Sequence, residues 1–338
     1  MTARDPSISH LSITVNDVAR VAGVSAMTVS RVLNRPEQVP QATVAKVRAA
    51  IAQTGYVPNR AAGALRSSRT RLVAAVVPTL SGPMFLETLD ALTAGLAARG
   101  YQLMVGQSGY SEAREDELLA DIIGRRPDGI VLTGVLHTAK GRQRLLASRI
   151  PVVETWDLSP DPIDVLVGFS HEAVGRAVAA FFARRGRRRL AVVGGDDPRA
   201  RRRAEAFAAE AQAHGLPAPV LQYVPAPARL GHGRTALREL LQRAAEVDAV
   251  FCSSDLVALG VLTEARARGL TVPRQLAVVG FGDLNFAADL EPALSSVRVD
   301  PRQIGELAAQ CVVTRAHRET LAERVIDVGF DLIERASS

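Results

Sequence analysis

Val15-Asn16-Asp17-Val18-Ala19-Arg20-Val21-Ala22-Gly23-Val24-Ser25-Ala26-Met27-Thr28-Val29-Ser30-Arg31-Val32-Leu33-Asn34 reads as a helix, a tight turn and a second helix. Val18, Val21, Ala22, Val24, Val29 and Val32 recur at helical spacing, so the two halves can share one apolar seam. Gly23 lies where the chain reverses, and a positive φ costs glycine little. Ser25 is placed to cap the second helix by accepting a bond from a free backbone N–H. Ala26, Met27, Ser30 and Arg31 are then left near the exposed start of that helix. A helix presented in this way is the unit that enters the DNA major groove; the competing reading is an ordinary pair of helices.

Working outward, Gln41 to Thr54 reads as a third helix with Val44, Val47, Ala50 and Ile51 on one face, ended by Gly55. Pro58 forces extended geometry on Val57. Arg60-Ala61-Ala62-Gly63-Ala64-Leu65-Arg66 is weakly helical, and Ser67-Ser68-Arg69-Thr70-Arg71 is a polar linker, so a boundary is expected near residue 70. Charge divides at the same place. Residues 1–70 hold nine Arg or Lys and three acids, and the rest of the chain holds 32 of each sign. The whole net charge of +6 therefore sits on the helical module, as suits a polyanionic partner. A basic solvated tail would be low in complexity, whereas this segment is patterned and apolar.

From Leu72 short apolar runs alternate with amphipathic stretches, the pattern of parallel sheets with crossover helices. Strands are expected at Leu72–Val77, Gln102–Gly106, Gly129–Leu132, Pro151–Glu154, Val165–Gly168, Leu190–Val193, Val220–Tyr223, Ala249–Cys252 and Leu276–Gly280. Two α/β halves with a cleft between them accommodate this number of strands, and ligands bind such folds at the strands' carboxyl ends.

Several stretches resemble the lactose-repressor/galactose-repressor (LacI) family of bacterial transcription regulators. They are Thr14 to Ala19, Gly23-Val24-Ser25, Thr28 to Asn34 and Gly55-Tyr56-Val57-Pro58-Asn59-Arg60-Ala61-Ala62, with Ser253-Ser254-Asp255, Val278-Val279-Gly280-Phe281 and Leu294-Ser295-Ser296-Val297 downstream. The resemblance spans essentially the whole chain. Arg35 to Val39, Val152 to Asp157, Val167 to Ser170 and Gly280 to Asp283 look most like gluconate-operon repressors. The implied fold is an all-α helix-turn-helix headpiece plus a periplasmic-binding-protein-like α/β effector domain of two Rossmann-like parallel-sheet subdomains. The expected boundaries are headpiece 1–58, hinge helix and linker 59–70, and effector and dimerisation domain 71–338. Within the effector domain, one subdomain takes about 71–168 and 300–320, the other about 169–298 and 321–338.

The implied function is that of a homodimeric repressor of double-stranded operator DNA, controlled by a small sugar or sugar-acid effector such as gluconate or a related aldonate. Thr14, Asn16, Ser25, Thr28, Ser30 and Asn34 are short side chains suited to phosphate contacts, with capping or solvation as their other use. Ala26 offers a methyl contact, Met27 is apolar, and Arg31 can bond guanine bidentately or clamp a phosphate. The resemblance adds Asn59, Ala62 and Leu65 of the hinge. Leu65, a large apolar group among Ala, Gly and Arg, would enter the minor groove as a wedge; packing on its own domain or on the dimer mate is the alternative. For the effector cleft the resemblance selects Ser81, Gln107, His137, Trp156, Phe169, Arg203, Ser254, Phe281 and Asp283. Many sugar-binding members carry an acid directly after the aromatic; here that place is Gly282, which suits an anionic ligand, with Asp283 next door able to take the vacated role. The family's Arg-x-x-Gly-Phe-like motif appears with Ala206 before Phe207, and the neighbouring Arg199, Arg201 and Arg202 leave its register open by a turn.

The chain offers no catalytic constellation, no metal spacing among its histidines and no phosphate-binding glycine loop with Lys-Ser/Thr, so neither enzyme activity nor a cofactor is expected. Two cysteines make no disulfide framework, and Cys252 reads as a buried small hydrophobe. No apolar run of membrane length and no signal sequence is seen, so a cytoplasmic, nucleoid-associated protein without a membrane partner is expected. Only Lys46 and Lys140 are lysines, which marks the arginine abundance as a compositional bias and lowers the weight of arginine clusters. The rival functions are a sugar-acid-binding protein or enzyme on the same α/β body, and an activator or a regulator whose ligand is a corepressor.

Overall fold

The computed structural model describes residues 13–58, 69–134, 138–244 and 246–338. Contacts divide the chain into two units, residues 1–70 and 71–338.

In the first unit, helices α1 (Val15–Ala22), α2 (Ala26–Asn34) and α3 (Gln41–Thr54) enclose Val18, Val29, Val32, Val44, Val47 and Ala50. Each fully buried valine contributes about 1.5–3 kcal/mol relative to exposure, so this small core is held by few side chains. Gly23 takes φ +65°, and Val24 N–H then returns to the Ala19 carbonyl at 3.0 Å, closing α1. Ser25 Oγ accepts from Thr28 N–H at 3.1 Å and starts α2. At the entrance to α1, Thr14 donates its N–H and its hydroxyl to Asp17 Oδ2 at 2.9 and 2.8 Å.

The second unit contains two six-stranded sheets. The first lobe runs β1 (Leu72–Val77), α4 (Pro83–Ala97), β2 (Gln102–Gln107), α5 (Glu112–Gly124), β3 (Gly129–Thr133), α6 (Ala139–Ser148), β4 (Val152–Thr155) and β5 (Val165–Gly168). The second lobe runs α7 (His171–Arg184), β6 (Leu190–Gly195), α8 (Pro198–Ala213), β7 (Val220–Val224), α9 (Leu230–Arg243), β8 (Ala249–Cys252), α10 (Asp255–Ala267), β9 (Ala277–Phe281) and β10 (Ser295–Arg298). The chain then returns through α11 (Pro301–Ala316) and β11 (Val325–Asp327) before ending with β12 (Asp331–Ile333). The sheet orders are β11-β5-β4-β3-β1-β2 and β12-β10-β9-β8-β6-β7, parallel throughout except for β12 against β10. Runs such as Leu72–Val77 are apolar at every position because helices cover both faces of such sheets.

The boundary between the lobes does not fall at residue 321 as the sequence suggests. β11 pairs in parallel with β5, Val325 opposite Leu166 and Asp327 opposite Gly168, so residues 325–327 stay on the first sheet. Its anchor is Asp164, whose carbonyl accepts from Arg324 Nε at 2.8 Å. The crossing into the second lobe falls at 328–330, around Gly329 with φ +68°.

In both sheets the order reverses at one strand, β1 between β2 and β3, and β6 between β7 and β8. At such a switch point successive connections leave on opposite faces and open a crevice beyond the carboxyl ends. Thr79 and Ser81 follow β1, and Gly195 and Asp197 end or follow β6, so the two crevices supply the two walls of one cavity.

Candidate functional site

On the headpiece, α2 turns Met27, 70% exposed, and Arg31 to the outside. No ion pair among the described residues includes Arg31. Ala26 is half-buried against the headpiece core, so it offers less surface than the sequence suggests. Ser25 and Thr28 are occupied with the cap, and Asn34 Nδ2 donates to the Ser30 carbonyl at 2.7 Å. Asn16 is exposed. Asn59, Ala62 and Leu65 lie outside the described residues, as does His137 of the cleft set.

The cavity of the second unit measures about 200 Å³. That is below the range of about 300–1,000 Å³ for drug-sized sites and suits a monosaccharide-sized molecule. Ser81, Trp156, Arg203, Ser254 and Phe281 of the expected set all line it. Phe169 does not; it is fully buried behind the wall, its ring 6.0 Å from both Trp156 and Phe281 and 4.7 Å from His171. Gln107 is exposed at the end of β2, an edge strand away from the cavity. Asp283 turns away too: its oxygens accept from Arg298 Nε at 2.7 Å and Arg335 Nη1 at 2.6 Å. It therefore does not take the place of the acid missing at Gly282. Gly282 itself has φ +123°, and a Cβ there would lie 2.7 Å from the Met84 sulfur of the first lobe. A side chain at this position meets both backbone strain and the opposite wall.

Arg203 is the buried charge of the site, only 5% exposed. Its guanidinium lies over the Phe281 ring at 4.2 Å, Nη1 meets His171 Nδ1 at 2.9 Å, and Nη2 donates to the Ser253 carbonyl at 3.3 Å. Burial lowers its pKa to about 10, which leaves it charged at neutral pH. Burial, with Arg203, Arg199 and Arg202 nearby, holds His171 well below the ordinary histidine range and so neutral. Its tautomer follows from its partners: Nε2–H donates to the Trp156 carbonyl at 3.0 Å, and Nδ1 accepts from Arg203. With both nitrogens engaged, His171 is no general base for a neighbouring hydroxyl. It is a strut between the lobes, carrying Arg203 of α8 on the backbone of Trp156 after β4.

A parallel strut lies beside it, since Arg202 pairs with the fully buried Asp157. Trp156, between these contacts, sits at φ +67°, a strained region for a bulky residue. Its indole N–H donates to Thr88 Oγ1 at 3.2 Å, and its ring meets Phe85 edge-on at 5.4 Å. With its N–H engaged, Trp156 presents only ring surface to the cavity it lines.

Sequence reasoning missed Tyr110, His171, Asp197, Arg199 and Ser253 as lining residues. Asp197 lies two residues past the end of β6, a signal the strand-end rule could have used. Arg199 crosses the cleft from α8 to lie 5.4 Å over Phe85 of α4. The sequence left it open as an alternative register for the motif's arginine; it and Arg203 both line the cavity, one helical turn apart. Asp197 is the only carboxylate among the described lining residues. The site is thus cationic, apolar on one side, and equipped to bind rather than to transform.

Behind this wall, Asp255 accepts from Leu284 N–H and Ser296 Oγ, both at 2.6 Å, and fixes the loop after β9. Burial raises its pKa to about 6. A carboxyl raised in the folded state contributes stability below its unfolded pKa that is lost as pH climbs through the folded value. Relative to Asp255→Asn, the protein is expected to lose about 3 kcal/mol between pH 3.5 and 7, read by denaturant unfolding at each pH. A gap that does not vary with pH would contradict this environment.

Residues 14–59 match the model of bacterial regulatory proteins of the lacI family, and residues 179–338 that of a periplasmic binding protein-like domain. The chain is 38% identical over 327 residues to the HTH-type transcriptional regulator GntR of Pseudomonas aeruginosa, covering 96% of this chain and 95% of that protein. It is 31% identical to GntR of Escherichia coli, covering 94% and 96%. Among solved structures, a LacI-family transcriptional regulator from Silicibacter pomeroyi superposes with a TM-score of 0.91 at 33% identity, covering 96% of this chain and 99% of that one.

Proposed function

This chain belongs to the lacI family of bacterial regulatory proteins, and from that premise we propose that it is an operator-binding repressor released by gluconate or a related aldonate. The observation that carries the ligand class is Arg203, a buried guanidinium in a cavity with one carboxylate among its described lining residues. A planar guanidinium pairs a ligand carboxylate bidentately, and Gly282 leaves no facing acid to repel it. The names of the two GntR relatives agree with this class. Trp156 supplies an aromatic surface for the carbon chain.

In the gating scheme, the ligand bridges the lobes, the lobes rotate about their three crossings, and the paired headpieces lose the spacing that fits a pseudo-palindromic operator. Coupling of this kind is typically 1–3 kcal/mol, set by the ligand's differential affinity for the two states. No described helix is long and apolar enough to cross a membrane.

Calorimetry with gluconate and galactonate against glucose and galactose tests the ligand class. Binding is expected for the acids and not for the neutral sugars; binding of the neutral sugars alone refutes it. On the DNA side, Arg31→Ala is expected to weaken operator binding by about 1–3 kcal/mol, roughly 5- to 150-fold, with the calorimetric response to sugar acid retained. Unchanged operator affinity in anisotropy titrations would remove Arg31 from the interface.

A further inference from the structure

Resting on the sugar-acid reading, we propose that the preferred ligand is an oxidised sugar acid, one that carries a second acceptor-only group, a ketone or another carboxylate, besides its first carboxylate. Acceptor-only side chains are scarce in the cavity, and the hydroxyls of Ser81 and Tyr110, which can accept, each bring a proton of their own. Among its described lining residues Asp197 is the only carboxylate, and there is no asparagine or glutamine. One oxygen of Asp197 is already engaged, since Oδ1 accepts Arg199 N–H and Ala200 N–H at 3.1 Å each. Both nitrogens of His171 are committed. The hydroxyls of Thr79, Ser253 and Ser254 already accept from Ser81, Gly195 and Val257 N–H at 3.0, 2.9 and 3.3 Å, and each still has a proton to place.

Donors are in surplus. Arg199 Nη1 and Arg203 Nε are buried and meet no acceptor among the described residues. A plain aldonate carries a hydroxyl on every carbon beyond its carboxylate, and each brings a proton that needs an acceptor. Replacing one such hydroxyl carbon by a ketone or a carboxylate removes a donor and supplies lone pairs. A site built of donors discriminates strongly for the ligand that satisfies them, because the poorer ligand leaves buried N–H groups unpaired. Arg199 is the residue assigned to the second group. It belongs to the second lobe but lies over Phe85 of the first, so an acceptor held there touches both walls.

The test is calorimetry on the full chain with gluconate, 2-ketogluconate, 5-ketogluconate and glucarate at one salt concentration, for the protein and for Arg199→Gln, with a thermal unfolding transition matching the parent's as the check that the variant folds. At least one oxidised acid is expected to bind about tenfold or more tighter than gluconate, and Arg199→Gln to shrink that ratio below about threefold. Which of them binds tightest tells a ketone from a second carboxylate. Gluconate binding as tightly as all three oxidised acids overturns the proposal and leaves the sugar-acid reading standing; a preference that survives in Arg199→Gln overturns the assignment of Arg199. Absence of binding by all four acids overturns the proposal and the reading together.

Discussion

Arg203→Ala is expected to leave a protein that binds its operator and no longer answers to sugar acid. The guanidinium is the charge buried deepest in the cavity, and on the proposed function its removal would delete the bidentate partner of the ligand carboxylate. Truncating one member of a buried, hydrogen-bonded charge pair costs about 2–5 kcal/mol, so ligand affinity should fall by a factor of about 30 or more. The fold weakens as well, because His171 Nδ1 and the Ser253 carbonyl each lose a donor, at about 1–3 kcal/mol for a buried group left unpaired. The headpiece has its own core around Val18, Val29, Val32 and Val47, so operator binding measured at low temperature separates the two effects. Arg203→Lys keeps the charge without the planar fork and should fall between the protein and the alanine variant. An alanine variant released by sugar acid at the same concentration as the parent would contradict the site.

The second large effect is structural, at Gly168. A Cβ on this residue would lie 2.0 Å from the Asp157 carbonyl oxygen and 2.5 Å from its amide nitrogen. Both are backbone atoms, so no rotamer change relieves the overlap. The neighbourhood is fixed on several sides: Trp156 N–H donates to the Val167 carbonyl at 3.1 Å, and Val328 N–H to the Gly168 carbonyl at 2.8 Å. Gly168→Ala must therefore separate the end of β4 from β5, moving Trp156 and Asp157 and with them both struts to α8. Overpacking of this kind costs about 3 kcal/mol or more. Gly231→Ala is the matched control, since a Cβ there meets nothing within 4 Å. In the first turn of α9 that change is expected to be neutral or stabilising by up to about 1 kcal/mol. Comparable melting temperatures for the two variants would contradict the packing described.

How far the sequence could be read follows from where each signal is local. The seam of Val18, Val29 and Val32, the ends set by Gly23 and Gly55, and apolar runs such as Leu72–Val77 are properties of adjacent residues, and the elements lie where they predict. β11 and β12 carried no such run. Each is three residues long, and only β5 and β10, far away in sequence, make them strands. The cavity residues divide similarly. Ser81, Trp156, Ser254 and Phe281, which the family resemblance selected, end or follow strands, as the rule that ligands sit at carboxyl ends requires. Gln107 obeys the same rule on an edge strand, where the end faces solvent. Asp283 has the composition of a ligand residue, but Arg335, 52 positions along, takes its carboxylate. Arg199 was left open as an alternative register for the motif's arginine, and only its place over Phe85 distinguishes it.

A sugar acid bound beside Arg203 is expected to lower the affinity of the headpiece for operator. A mobility-shift titration on the DNA upstream of the protein's own coding sequence, with and without a panel of sugar acids and neutral sugars, tests it most directly. The expected result is a shifted complex that weakens steeply with salt, by about 0.9 log units per neutralised phosphate per log unit of salt. Release of that complex by a sugar acid is also expected, at concentrations where neutral sugars have no effect. A complex that persists with every sugar acid and dissociates with a neutral sugar would contradict it.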